Sequence, residues 1–326
     1  MQHIVLRALL LAVVASSTNA VGAIATFVVR KGDHKLLARM LGLSTGVMVY
    51  VALMDVIRES EAAFRKDFDK TMAAIWSSGC FFIGMVAIHV SGILMRVLTN
   101  LMRQRDAPPS PSRSASMRTL PGDDVTETPH NVDVRVQIVT RVNEKAVVCC
   151  EEEGDDDDFA GGKQLAEAKI SWKTIIAVLR IAMHNIPEGI TTYIVAIHVP
   201  PMGIPLAVAI AVHNVPEGLC IALPIYFQTG SRVKAFIWAV LTGFIQVLGA
   251  FIAFCLPTSL YTDFFFGVVT GVAAGMMMYV AFFDILHKAR RHDPKDEWTT
   301  KFIFLGMLIM AVSLTMLISE RERYEN

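Results

Sequence analysis

Residues 174–198 read TIIAVLRIAMHNIPEGITTYIVAIH, and residues 203–227 read GIPLAVAIAVHNVPEGLCIALPIYF. Both runs are apolar over more than the roughly 20 residues a helix needs to cross about 30 Å of hydrocarbon. Both also carry one six-residue motif: His184-Asn185-Ile186-Pro187-Glu188-Gly189 and His213-Asn214-Val215-Pro216-Glu217-Gly218. Placing an imidazole, an amide and a carboxylate inside a membrane span costs free energy each time, so a repeated set marks function. These two stretches decide the fold class, an all-α integral membrane protein, and they locate its chemistry.

Six further apolar runs cover 4–29, 36–57, 72–98, 235–256, 263–286 and 302–318. The pattern predicts a bundle of about eight transmembrane helices, three within residues 1–103 and five within 171–326, around a polar segment at 104–170. Composition agrees: 53% of the 326 residues are hydrophobic, 18% are charged, and the mean hydropathy is +0.47. Thirty basic and thirty acidic side chains cancel, so no nucleic-acid partner is expected. Five cysteines in a chain of this length form no disulfide framework. Residues 4–20 also resemble a cleavable leader with a small-residue cleavage site, but 21–29 continue the run to full span length.

Lysine and arginine gather in alternate connections. The 1–2 connection has Arg30, Lys31, Lys35 and Arg39, the 5–6 connection Arg232 and Lys234, and the 7–8 connection Lys288, Arg290, Arg291 and Lys295. In the 2–3 connection Arg58, Arg65, Lys66 and Lys70 are diluted by Glu59, Glu61, Asp67 and Asp69. The 4–5 and 6–7 connections have none. Positive charge stays cytosolic, which puts both termini on the non-cytosolic side of a plasma membrane or an endomembrane. Segment 104–170, Pro/Ser-rich and then acidic, reads as a mostly disordered cytosolic loop. Its Cys149 and Cys150, beside seven carboxylates in 151–158, could hold a soft divalent ion weakly, although a solvated acidic linker is the plainer reading.

Depth and face bring the motif residues together. With span 4 entering near residue 174, His184 lies about 15 Å deep at 1.5 Å per residue, and Glu188, His213 and Glu217 reach similar depth. His184 and Glu188 are four apart and share a helix face, as do His213 and Glu217. Asn185 and Asn214 stand three before each glutamate. Two such helices face to face offer two imidazoles, two carboxylates and two amide oxygens, a donor set suited to Zn²⁺, with iron, manganese, cobalt or cadmium left open. The shared glutamates permit two adjacent ion positions. Gln246 in span 6 is level with Glu217 and could reach the same centre.

Pro187 and Pro216 remove the N–H groups that would bond the carbonyls of Met183 and Val212, so each helix is expected to kink there. Asp55, near the outer end of span 2, and Asp284 with His287, near the inner end of span 7, could form an outer mouth and an inner exit; helix-end charges are the alternative for both aspartates. His89 reads as a hydrogen-bonded core histidine. Arg180, one turn before His184, is expected to reach toward the cytosol or to pair with an acid. A membrane metalloenzyme is disfavoured because the two motifs repeat one ligand set with no separate general base. A metal sensor is disfavoured because the polar regions contain no ligand domain.

The paired motifs resemble those of the ZIP (Zrt/Irt-like) family of divalent-metal transporters, most closely its GufA-like branch. The resemblance is strongest from about 172 to 250, continues through 275–280, and includes 43–48 in span 2. It implies a transporter rather than an enzyme, with eight helices, import toward the cytosol by alternating access, and zinc as cargo rather than as a cofactor. By the same resemblance His184, Glu188, His213 and Glu217 form one ion site. Asn185, Asn214 and Gln246 form its neighbour with the same two glutamates. The expected partners are the divalent ion and the lipid bilayer, with a homodimer left open. Two features depart from the family. The span-6 position is often Glu and is Gln246 here, and the loop has only His130 where eukaryotic relatives carry a His-rich tract. Two glutamates balance one divalent ion, so the second position is expected to be weak or unused.

Overall fold

A computed structural model describes residues 2–30, 32–105, 170, 172–198 and 200–325. The Cys149-Cys150 acidic run and His130 lie outside these residues. The described chain is helical, in eight long rods and a short 3₁₀ turn, Thr258–Leu260. The rods are α1 (Gln2–Val28), α2 (His34–Val51) running on into α3 (Ile57–Phe64), α4 (Lys70–Arg105), α5 (Trp172–His198), α6 (Pro200–Thr229), α7 (Arg232–Cys255), α8 (Asp263–Tyr279) running on into α9 (His287–His292), and α10 (Thr299–Glu325). Seven of them are long and apolar enough to cross a membrane. The eighth, α5, falls short in composition because it carries Arg180, His184, Asn185 and Glu188. Large side chains such as Phe82, Ile83, Phe244, Phe251, Phe304 and Leu308 point outward, as the apolar face of a lipid-embedded bundle requires.

Two rods depart from a plain α-helix. Ala52–Val56 joins α2 to α3, and Val280–Leu286 joins α8 to α9, each as a π-helical stretch. A π turn holds one extra residue and re-aims the side chains around it, and such turns concentrate at functional sites. One contains Asp55 and the other Asp284. The prolines behave differently: α5 stays helical through Pro187, and α6 through Pro205, Pro216 and Pro224.

Helix starts follow ordinary capping. Asp33 accepts from the Leu36 N–H at 2.9 Å, Ser231 from Lys234 at 3.2 Å and Thr262 from Phe265 at 3.1 Å. Asp293 starts α10 by accepting the N–H groups of Glu297, Trp298 and Thr299 and the Thr299 hydroxyl. Burial pushes the Asp293 carboxyl up, but these donors outweigh it and hold it at about 2.

Glycines set which rods touch. A Cβ on Gly22 would lie 2.0 Å from the Val215 carbonyl oxygen, and one on Gly218 would lie 2.0 Å from that of Asn19. The same reciprocal contact, each glycine against the carbonyl three residues before its partner glycine, recurs for Gly189 with Gly249, Gly46 with Gly306 and Gly84 with Gly275. Only a missing side chain permits so close an approach, which is how helices pack without a hydrophobic drive between them. The four crossings pair α1 with α6, α5 with α7, α2 with α10 and α4 with α8. Packing is more extensive within the set α1, α5, α6, α7 and within the set α2–α4, α8–α10 than between them. The two motifs lie in the first set; both π turns lie in the second.

Candidate metal centre

Both motifs sit in mid-helix, and all seven residues singled out in α5, α6 and α7 are buried. Their contacts cross between the copies. His213 Nε2 of α6 lies 3.3 Å from Glu188 Oε1 of α5. His184 Nε2 of α5 lies 3.8 Å from Glu217 Oε2 of α6 and 3.9 Å from its own helix's Glu188. His184, Glu188 and Glu217 can each present a ligand atom within 4.8 Å of the other two, a spacing one bound ion bridges with small side-chain movements.

The amides extend the set. Asn185 Nδ2 donates to Glu217 Oε1 at 2.8 Å and to the Thr242 carbonyl at 3.3 Å. Asn214 Nδ2 donates to Gln246 Oε1 at 2.8 Å and to the Ala15 carbonyl at 3.1 Å. Gln246 is thus joined to the centre through Asn214. Several buried acceptors here receive no hydrogen from the protein: Asn185 Oδ1, Asn214 Oδ1, Glu188 Oε2 and Glu217 Oε2. Buried lone pairs without a donor are costly. A cation is the group that satisfies acceptors of this kind, and the mix of imidazole nitrogen and carboxylate oxygen suits a borderline divalent ion.

Toward one end of the bundle, a narrow cleft of about 20 Å³ leads from Asp55 and Glu59 to Glu188 and His213. Toward the other end, Asp284 is buried against Arg180, which donates to it through Nη2. Arg180 therefore pairs with an acid. His89 Nδ1 and the Tyr279 hydroxyl are hydrogen-bonded at 2.8 Å, but His89 is exposed on α4 rather than in the core as expected, and it does not join the centre. His287 is exposed.

Sequence reasoning missed Asn19. It comes from α1, is fully buried, and its side-chain amide faces the Glu217 carboxylate. Its backbone meets Gly218, next to Glu217, and its amide nitrogen would lie 3.3 Å from a Cβ on Gly243, next to Thr242. The signal was present, since an asparagine inside an apolar span is itself a site marker, but the leader-like reading of 4–20 drew attention away from it.

A family model described as "ZIP Zinc transporter" matches residues 4–314. The chain belongs to the ZIP zinc transporter family. Its members are membrane transporters of divalent metal, not enzymes, and the buried His/Glu cluster agrees with that function. Three similar proteins bear the name "Zinc transporter ZupT". The one from Campylobacter jejuni is 31% identical over 313 residues, 95% of this chain and 96% of that one. The one from Chlorobaculum parvum is 29% identical over 318 residues, 98% and 100% of the two chains. The one from Clostridium perfringens is 27% identical over 319 residues, 96% and 97%. The likeness thus runs along the whole ZIP chain and is not confined to the motifs.

Proposed function

We propose that this ZIP chain carries zinc into the cytosol through one ion position built by His184, Glu188, His213 and Glu217. Asn185, Asn214 and Gln246 act as neighbouring amide positions. The crosswise pairing of the two motifs carries this reading, because it gathers two imidazoles and two carboxylates at mid-helix depth. Charge bookkeeping supports a single ion: two carboxylates balance one divalent cation, and the amides add none.

The ion enters past Asp55, where the cleft reaches Glu188 and His213, and leaves past Asp284. Both termini face the non-cytosolic side by the lysine and arginine bias, and 104–170 is a cytosolic loop. Access alternates as the set carrying the motifs shifts against the set carrying the π turns; the glycine crossings within each set and the sparser packing between them support this division. The centre is drawn from one chain, so it serves a monomer or a homodimer alike.

The test is zinc flux into proteoliposomes, wild type beside Glu188→Ala. Uptake by the wild type and its loss in the variant are expected. A wild type that binds zinc through Glu188 yet moves none under an imposed gradient would refute the reading.

A further inference from the structure

Arg180 lies one turn before His184 on α5, about 6 Å along the helix from it. That is the side of the centre toward the Asp284 end. The Arg180 and Asp284 side chains are only 11% and 3% exposed. Room for the arginine comes from Gly92 on α4, where a Cβ would lie 2.9 Å from Nη1. The Tyr279 ring centroid is 6.0 Å from the guanidinium carbon. Lys288 and Arg96 add further positive charge around the same carboxylate.

Three features set this pair apart from a helix-packing ion pair. It is incompletely satisfied: Arg180 Nε and Asp284 Oδ2 have no hydrogen-bond partner, so the fork is not used in full. A buried pair of that kind is a poor stabiliser, because the desolvation of both charges is only partly repaid. It also joins the two helix sets, α5 of one to the π turn of the other, where packing between sets is sparse. Finally, it breaks the likeness between the two ends. The aspartate of the first π turn opens by a cleft onto the centre, whereas the aspartate of the second holds an arginine of the chain itself.

We propose that Arg180 is a tethered stand-in for the cargo. Its guanidinium neutralises Asp284 while the centre is reached from the Asp55 side. A divalent ion moving inward from the centre takes its place on Asp284, and the exchange releases the tie between the two helix sets. Arg180 is a positioning residue that acts through Asp284. The proposal rests on the exit past Asp284 argued above.

The experiment uses the full chain, Zn²⁺ alone as the probe, and three variants: Arg180→Met, Asp284→Asn and the double variant. With the guanidinium gone, Asp284 is open to metal, so Arg180→Met is expected to bind one more zinc per protein at saturation than the wild type. The double variant returns to the wild-type number. A folded Arg180→Met with the wild-type number overturns the stand-in role.

Flux keeps the idea open to refutation even if a lone buried Asp284 prevents Arg180→Met from folding. Asp284→Asn is expected to slow zinc flux by at least about tenfold, and the double variant to be equally slow. A merely structural pair predicts the opposite, since removing both charges relieves the strain of removing one. A double variant at the wild-type rate beside a slow Asp284→Asn therefore overturns the proposal. Asp284→Asn at the wild-type rate removes the exit route itself, which is a failure of the earlier reading and is told apart by that variant alone.

Discussion

The two motifs differ in one side chain, Ile186 against Val215, yet their surroundings differ in charge. Asn185 of the first copy holds the carboxylate of Glu217 and a carbonyl of α7. Asn214 of the second holds the neutral amide of Gln246 and a carbonyl of α1. Gly189 lets α5 meet α7 at Gln246, while Gly218 lets α6 meet α1 at Asn19. Equal motifs give equal helix faces; their neighbours decide which half carries charge. One half of the centre is a His/Glu cluster and the other is lined by amides.

The largest effect is expected at the carboxylates. Glu188 is approached by both histidines and Glu217 by His184 alone. Glu188→Gln should weaken zinc binding by more than about 100-fold, beyond the range seen when only a supporting partner is lost. Glu217→Gln should cost less, because it forfeits one histidine neighbour and can keep its bond to Asn185. Calorimetric titration of the purified protein decides this. Two equal losses would mean that the copies are equivalent, and the contrast would be broken.

The glycines come next. A Cβ at Gly189 would lie 1.9 Å from the Gln246 carbonyl oxygen, and one at Gly218 would lie 2.0 Å from that of Asn19. No rotamer relieves a Cβ, so the helices must part. Gly189→Ala and Gly218→Ala should each destabilise the protein by about 1–3 kcal/mol, read as a lower thermal midpoint in detergent. Unchanged midpoints would show the crossings to be looser than described.

The asparagines test the difference in charge directly. Asn185→Ala removes a charge-assisted bond of about 1.5–3 kcal/mol, roughly 10- to 150-fold in zinc affinity. Asn214→Ala removes a neutral bond of about 0.5–1.5 kcal/mol, roughly 2- to 12-fold. A larger loss at Asn214 would place the ion in the amide half.

Much of this was legible from local pattern. The spans, the four-residue His/Glu spacing and the shared depth of the motifs follow from residues close in sequence. The π turns were not legible. Nothing in the apolar run around Asp55 or Asp284 announces the extra residue that re-aims each aspartate, because the turn answers packing between distant rods. The crosswise contacts of His213 with Glu188 and of Asn185 with Glu217 also depend on how α5 and α6 meet. Asn19 lies outside both motifs, and only the crossing at Gly218 brings it beside Glu217. The glycines themselves were visible; their partners, between 60 and 260 residues away across the four crossings, were not.

Gln246→Glu sharpens the contrast most finely. The change adds one carboxylate where Asn214 already donates at 2.8 Å and where α5 packs closest to α7. Glu is nearly the same size as Gln, so the crossing at Gly189 should survive and the thermal midpoint should stay near the wild-type value. What changes is charge: the amide half gains a negative group, bringing the buried total to three. Two divalent ions sharing three carboxylates are far nearer balance than two ions sharing two, since uncompensated buried charge is what excludes the second. Zinc per protein at saturation should therefore rise from one to two, with the first ion held about as before. A variant that still takes one ion would mean that geometry, and not charge, closes the amide half.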